Sequence, residues 1–330
     1  MRDDRDSADR AGDRPAESAQ PAANQAGNLL QMDFRCRVPE MDDLTVQERL
    51  RSWCQEALDG RGKLSGLRAI ARVADAYGRM RPQERDAFFH MLWRDFAADG
   101  AEVDAAIEAY AARRGDREAA RLFLALNSPR LQLFRCFNTI SESLRFLVRL
   151  RADLSERLRT YPNLWILEFE LRHLLESWFS PGFLQLRRIT WESPAALLEN
   201  IAASQAVHAF SDWQDLKRRL SLDRACFAFI HPTMPTDPII FVEVALVRGI
   251  SDSIQRLLAP NAPRPQPHEA DTAIFYGITS AQRGLRGIPL GNLLIKQVTA
   301  RLRSEFPSLS TFATLSPVPR LRADFLDPLL

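Results

Sequence analysis

Cysteine is scarce in this 330-residue sequence: Cys36, Cys54, Cys136 and Cys226 are the only four, with no Cys-x-x-Cys and no pairing pattern. That excludes a disulfide framework or a thiolate zinc site and fits buried thiols in a reducing compartment. Net charge is also small. The 44 basic residues are balanced by 42 acidic ones for a net charge of +2, spread rather than clustered, so no nucleic-acid partner is expected. No apolar run approaches the length that spans a bilayer, so no membrane partner is expected either. There is no Gly-Lys-Ser/Thr phosphate loop, no G-x-G-x-x-G fingerprint and no repeat of solenoid period.

Targeting signals are missing as well. The first 28 or so residues are Asp, Arg, Ala, Pro and Gln with almost no large apolar side chains, which predicts disorder, assigned here to residues 1–40. Without an apolar core this is no signal peptide, and Asp3, Asp4, Asp6, Asp9 and Asp13 among the arginines argue against a mitochondrial presequence. The closing Asp327-Pro328-Leu329-Leu330 is no peroxisomal signal. The expected location is cytoplasmic.

What is present falls into two parts. Residues 41–179 read as an all-α helical bundle with short connections. Pro82 stands at a first helical position, followed by the apolar stripe Phe88, Phe89, Leu92, Trp93 and Phe96. Asp116 is expected to cap a helix carrying Ala119, Leu122, Phe123 and Leu126. Ser141 is expected to cap another with Leu144, Leu147, Leu150, Leu154 and Leu158. Leu164 to Phe179 carries a broad apolar face. His90 and His173 lie in this region without a second ligand at i+3 or i+4, so packing is expected of them, not metal binding.

Ser180-Pro181-Gly182 ends the helical pattern and marks the expected boundary of a second domain, 180–330. Ser193–Ser204 and Ser211–Leu220 read as helices, the second capped by Ser211. Cys226–Ile230 and Ile239–Val247 read as strands around the tight His231-Pro232-Thr233-Met234-Pro235 connection. A polar, Pro-rich loop over Leu258–Ala270 leads to a third strand, Ala273–Ile278. A helix from about Leu293 to Pro307 and a short strand, Thr311–Leu315, complete a mixed α+β domain.

Between the third strand and that helix lies a loop with Gly284, Gly287 and Gly291 among Arg283 and Arg286. Bare backbone N–H groups and the positive end of a helix dipole can hold a phosphate there, and the arginines can add charge. The plain alternative is a turn that only starts a core helix. Arg286-Gly287-Ile288-Pro289-Leu290-Gly291 resembles the pyrophosphate loop of GNAT-type acyltransferases, with Pro289 where glycine is usual.

The neighbouring blocks resemble one family throughout: Ser177–Ile201, His231–Ser251, Ala273–Thr279, Gly284–Val298 and Glu305–Pro319 are similar to malonyl-CoA decarboxylase. The resemblance implies an N-terminal helical bundle that serves oligomerisation, followed by a GNAT-like mixed α/β domain that is incomplete here at its C-terminus. It implies conversion of malonyl-CoA to acetyl-CoA and carbon dioxide by a homo-oligomer, with no metal and no cofactor beyond the coenzyme A of the substrate. Arg286, Gly287, Ile288, Pro289, Leu290, Gly291 and Asn292 map onto the family's CoA-binding loop. Ser316, in Leu315-Ser316-Pro317-Val318-Pro319, maps onto the family's catalytic serine and would engage the malonyl or enolate oxygens.

Two departures stand out. Pro289 replaces a glutamate common in the family, removing a carboxylate and a backbone N–H together. The family's later histidine, its presumed proton donor, has no counterpart in this sequence; His231 is the only histidine beside a family motif and is expected to be structural, with His208 and His268 at the surface or its boundary. From the residues alone Ser316 also fits a Ser-Pro turn whose hydroxyl bonds only its own backbone. Two rival functions remain open: acyl transfer from acyl-CoA to an amine, and CoA binding without turnover.

Overall fold

The computed structural model describes residues 45–138, 143–205, 207–259, 261–316 and 327. The expected disorder of residues 1–40, Cys36, the cap at Ser141 and the Pro317-Val318-Pro319 part of the serine motif lie outside the described residues.

The helical half starts at α1 (Val46–Asp59), where Thr45 and Glu48 form a reciprocal capping box. It continues through α2 (Leu64–Arg79), α3 (Pro82–Asp95), α4 (Gly100–Ala112), α5 (Asp116–Ala125), α6 (Pro129–Phe137), α7 (Ser143–Arg157) and α8 (Trp165–Trp178). Pro82 does open α3, and Phe88, Phe89 and Leu92 are buried, but Trp93 points outward and is 39% exposed. In α7 the expected face is inside: Leu144, Leu147, Leu150 and Leu154. Tyr77 anchors the centre, ringed by Phe88, Phe89 and Phe146 at 5.5–6.0 Å between centroids.

The α5 expectations fail. Gly115 holds the cap position and Asp116 is already helical, where its charge still favours the N-terminus. No residue of α5 is buried: Phe123, Leu124 and Leu126 are 68%, 67% and 56% exposed. The apolar stripe is real in sequence, but among the described residues nothing covers Phe123, Leu124 and Leu126.

The second half is one mixed sheet of β1 (Gln185–Ile189), β2 (Arg224–Ile230), β3 (Pro238–Val247), β4 (Thr272–Ser280) and β5 (Thr311–Thr314), in that spatial order. All neighbours are antiparallel except β4 and β5, which run parallel. β1 was not expected; it is a five-residue edge strand, its alternation diluted by Arg187 and Arg188. The helices α9 (Ala195–Ser204) and α10 (Trp213–Arg219) cover one face. Asp212, not Ser211, caps α10, its carboxylate accepting from the Asp215 amide at 2.8 Å. A short helix, α11 (Ile254–Leu258), precedes the expected loop, which carries one 3-10 turn at Pro267–Glu269.

The other face meets α12 (Gly291–Glu305) and the bundle. Phe227, Val242, Val244 and Phe275 from the sheet share a continuous core with Leu294 and Val298 of α12 and with Leu147 and Leu171 of the bundle. Covered on both sides, β2 is buried at every residue, and β3 at all but Val247.

Candidate functional site

Parallel pairing of β4 and β5 requires a crossover, and α12 supplies it. Residues 281–290, between β4 and α12, therefore emerge at the same end of the sheet as the chain leaving β5. In open α/β units that end is where ligands sit.

The loop tightens into a single turn at Arg283–Leu285 and then runs outward to Leu290. Several of its amides are engaged locally: Leu285 with the Gln282 carbonyl at 3.0 Å, Ile288 with Leu285 at 3.2 Å and Leu290 with Ile288 at 2.9 Å. The amides of Gly287, Gly291, Asn292 and Leu293 donate to no acceptor among the described residues. Gly287 has φ +85°, a conformation that favours glycine. Leu290 gives α12 no side-chain cap, and the first turn holds no acidic residue. The helix thus presents free donors and the positive end of its dipole to whatever lies outside.

The two arginines part company. Arg283 bonds Glu156 of α7 at 2.7 Å, so it faces the bundle. Arg286 is exposed, and its guanidinium has no ion-pair partner among the described residues. Ile288 is half-buried and packs on the core, Pro289 is exposed, and Leu290 is buried beneath the helix start.

Ser316 follows β5. The Leu315 amide still bonds the Phe275 carbonyl at 2.8 Å, and the register from Thr272↔Thr311 to Phe275↔Thr314 is constant. Ser316 stands two residues beyond the last paired position, Thr314. Ser316 is exposed. β4 runs on to Ser280, and its pairing with β5 is described as far as Phe275.

On the face that carries α9 and α10, Glu243 of β3 pairs in register with Gly277 and is 1% exposed. Tyr276 donates to its carboxylate at 3.3 Å, Gln205 donates to the other oxygen, and Arg219 stands 3.5 Å away. Burial pushes the Glu243 carboxyl up to about 7 against the opposing pull of Arg219 and the Tyr276 hydroxyl. Thr279 donates to Gln205 at 2.8 Å and extends the network along β4.

Residues 96–179 match the family model of the malonyl-CoA decarboxylase N-terminal domain, and residues 182–327 that of the C-terminal domain. The crystal structure of malonyl-CoA decarboxylase from Agrobacterium vitis superposes with a TM-score of 0.80 at 40% identity, covering 84% of this chain and 68% of that one. The chain belongs to the malonyl-CoA decarboxylase family. The Rhodopseudomonas palustris structure agrees, with a TM-score of 0.79, 37% identity and coverage of 84% and 67%. The mitochondrial malonyl-CoA decarboxylase of the goose Anser anser anser is 39% identical over 268 residues, which are 77% of this chain and 51% of the relative. The chain thus spans about half the length of the curated relatives it matches.

Against that family background, the histidines separate. His231 is 9% exposed, its ring 5.3 Å from that of Phe179; its Nδ1 accepts from the Thr233 amide at 3.3 Å, and burial lowers its pKa. It joins sheet to bundle. His90 packs edge-on to Tyr161 at 4.9 Å, and His173 is exposed. His208 neighbours Tyr276 at 6.4 Å, its Nε2 buried without a partner among the described residues. Sequence reading passed over Glu243, although a lone acid within the apolar run Ile239–Val247 was the visible signal.

Proposed function

We propose that this chain binds malonyl-CoA and converts it to acetyl-CoA and carbon dioxide. The observation that carries this reading is that free amides at the start of α12 and Ser316 emerge at the same end of the β4–β5 pair. The amides of Gly287, Gly291, Asn292 and Leu293 receive the coenzyme A pyrophosphate, and Arg286 adds its charge. Ile288, Pro289 and Leu290 shape the rim. Coenzyme A enters only as part of the substrate, and the reaction as proposed uses no metal.

When the C–C bond to the carboxylate breaks, its electron pair passes to the thioester carbonyl as an enolate and carbon dioxide leaves. Ser316 hydrogen-bonds the malonyl or enolate oxygens. A donor placed at a developing oxyanion contributes a factor of ~10²–10³. Protonation of the enolate carbon gives acetyl-CoA; none of the described histidines lies on the loop or beside Ser316 in the sheet register, and no residue is assigned that proton.

The same proposal extends to assembly and place. The exposed Phe123 and Leu124 of α5 and Leu126 at its C-cap support a homo-oligomer formed through the helical half. A cytoplasmic location is part of the proposal; the animal relatives are named mitochondrial.

Incubation with malonyl-CoA labelled in the free carboxylate tests the function. Release of labelled carbon dioxide supports it. Label transferred on an acyl group to an added amine favours acyl transfer, and binding without either overturns both enzymatic readings.

A further inference from the structure

We propose that Arg151, on the helical half, is a positioning residue for the coenzyme A loop; the inference rests on the reading of residues 286–292 given above. Arg151 lies on α7, 4% exposed. Its Nη1 donates to the Gly284 carbonyl at 2.6 Å and to the Arg286 carbonyl at 3.0 Å. Its Nε and Nη2 both reach Glu168 Oε1 on α8, at 3.0 and 2.6 Å. One guanidinium thus ties two carbonyls of the loop to two helices of the bundle.

The consequence follows from the planarity of the peptide. In a trans peptide the C=O of one residue and the N–H of the next point in opposite directions. Arg151 holds the Arg286 carbonyl toward α7, so the Gly287 N–H is turned away from α7. That amide is one of the four that donate to nothing among the described residues. The positive φ of Gly287 lets the chain turn from this fixed peptide into the start of α12. One helical turn before Arg151, the Val148 carbonyl seats Gly284. The loop therefore rests on a strip of α7 and takes its shape from there.

Charge attraction to the phosphate is not the mechanism. The guanidinium is buried and paired with Glu168, so the pair carries no net charge toward the ligand. Geometry is the mechanism. Arginine's planar fork reaches two carbonyls and a carboxylate at once; lysine keeps the charge but has a single ammonium centre that cannot span the three acceptors. The helical half thereby becomes part of the ligand site as well as a platform for assembly.

The test compares the full chain with its Arg151→Lys and Glu168→Gln variants in calorimetric titration with coenzyme A and in steady-state kinetics with malonyl-CoA. Arg151→Lys is expected to weaken coenzyme A binding and raise KM by about tenfold, as loss of a charged hydrogen bond implies, with kcat little changed. Glu168→Gln, which loosens the fork without removing it, should give a smaller rise in the same direction. A residue that only stabilises the fold would lower the melting temperature and leave KM and the coenzyme A affinity unchanged; that result overturns the proposal. If wild-type protein binds no coenzyme A, the loop reading itself fails. Should Arg151→Lys not fold, Glu168→Gln and hydrogen exchange of the wild type decide. Protection of the Gly287 amide by coenzyme A is expected, and unchanged exchange there with ligand bound refutes the inference.

Discussion

The Gly284 backbone lies so close to Val148 that a Cβ on Gly284 would stand 1.8 Å from the Val148 carbonyl oxygen. The glycine that looked in sequence like part of a phosphate cradle is instead where the loop meets the bundle. Gly284→Ala must push the loop off α7. We expect a loss of about 1–3 kcal/mol of stability, typical of overpacking, together with a raised KM for malonyl-CoA. Chemical denaturation alongside kinetics checks both; an alanine variant of unchanged stability contradicts the contact.

Ser316 is exposed and lies two residues beyond the last β4–β5 pair, Phe275↔Thr314. As a donor to the enolate oxygen it acts mainly in the transition state, so Ser316→Ala is predicted to reduce kcat by ~10²–10³ and leave KM little changed. Equal kcat in variant and wild type would assign the serine to a turn and nothing more.

Glu243 gives a pH dependence with a definite sign. Its carboxyl is raised by burial from the ordinary 4.5 to about 7, Arg219 opposing. Between those values the folded chain holds a proton that the unfolded chain has lost. Stability contributed by this group is therefore fully present below about pH 4.5 and declines as pH rises toward 7, by about 1.4 kcal/mol per pH unit. Glu243→Gln should flatten that segment of the stability–pH curve, measured by urea denaturation from pH 5 to 8. An unaltered slope would mean that Glu243 is ionised throughout.

The α5 surface predicts assembly. Phe123 and Leu124 are each about two-thirds exposed, and a helix with no buried residue of its own gains little by folding alone. Replacing both by glutamate should convert an oligomer to a monomer in light scattering, with the far-ultraviolet circular dichroism unchanged. Identical masses would remove this face from the interface.

Much of this fold could be read from residue patterns. The 3.6-residue spacing of Leu144, Leu147, Leu150 and Leu154 and the Phe/Val/Ile density of β2 and β3 gave helices and strands close to where they lie. β1 escaped because five residues with two arginines carry too weak a period. At Phe123 the helical stripe was seen, but whether a stripe is buried depends on partners that spacing does not encode. At the site, the glycines and arginines were visible as types, while their jobs depended on tertiary neighbours. Gly284 and Arg283 turn to α7, Gly287 and Arg286 outward, and Arg151 lay more than 130 residues away in sequence from the carbonyls it holds. No local pattern could supply that pairing.

The most direct measurement is a crystal structure of the full chain with a non-decarboxylating malonyl-CoA analogue. The account predicts the diphosphate within hydrogen-bond distance of the Gly287, Gly291, Asn292 and Leu293 amides, and the acyl end in contact with Ser316 Oγ. A ligand seated elsewhere, or one whose acyl group points away from Ser316, would contradict it.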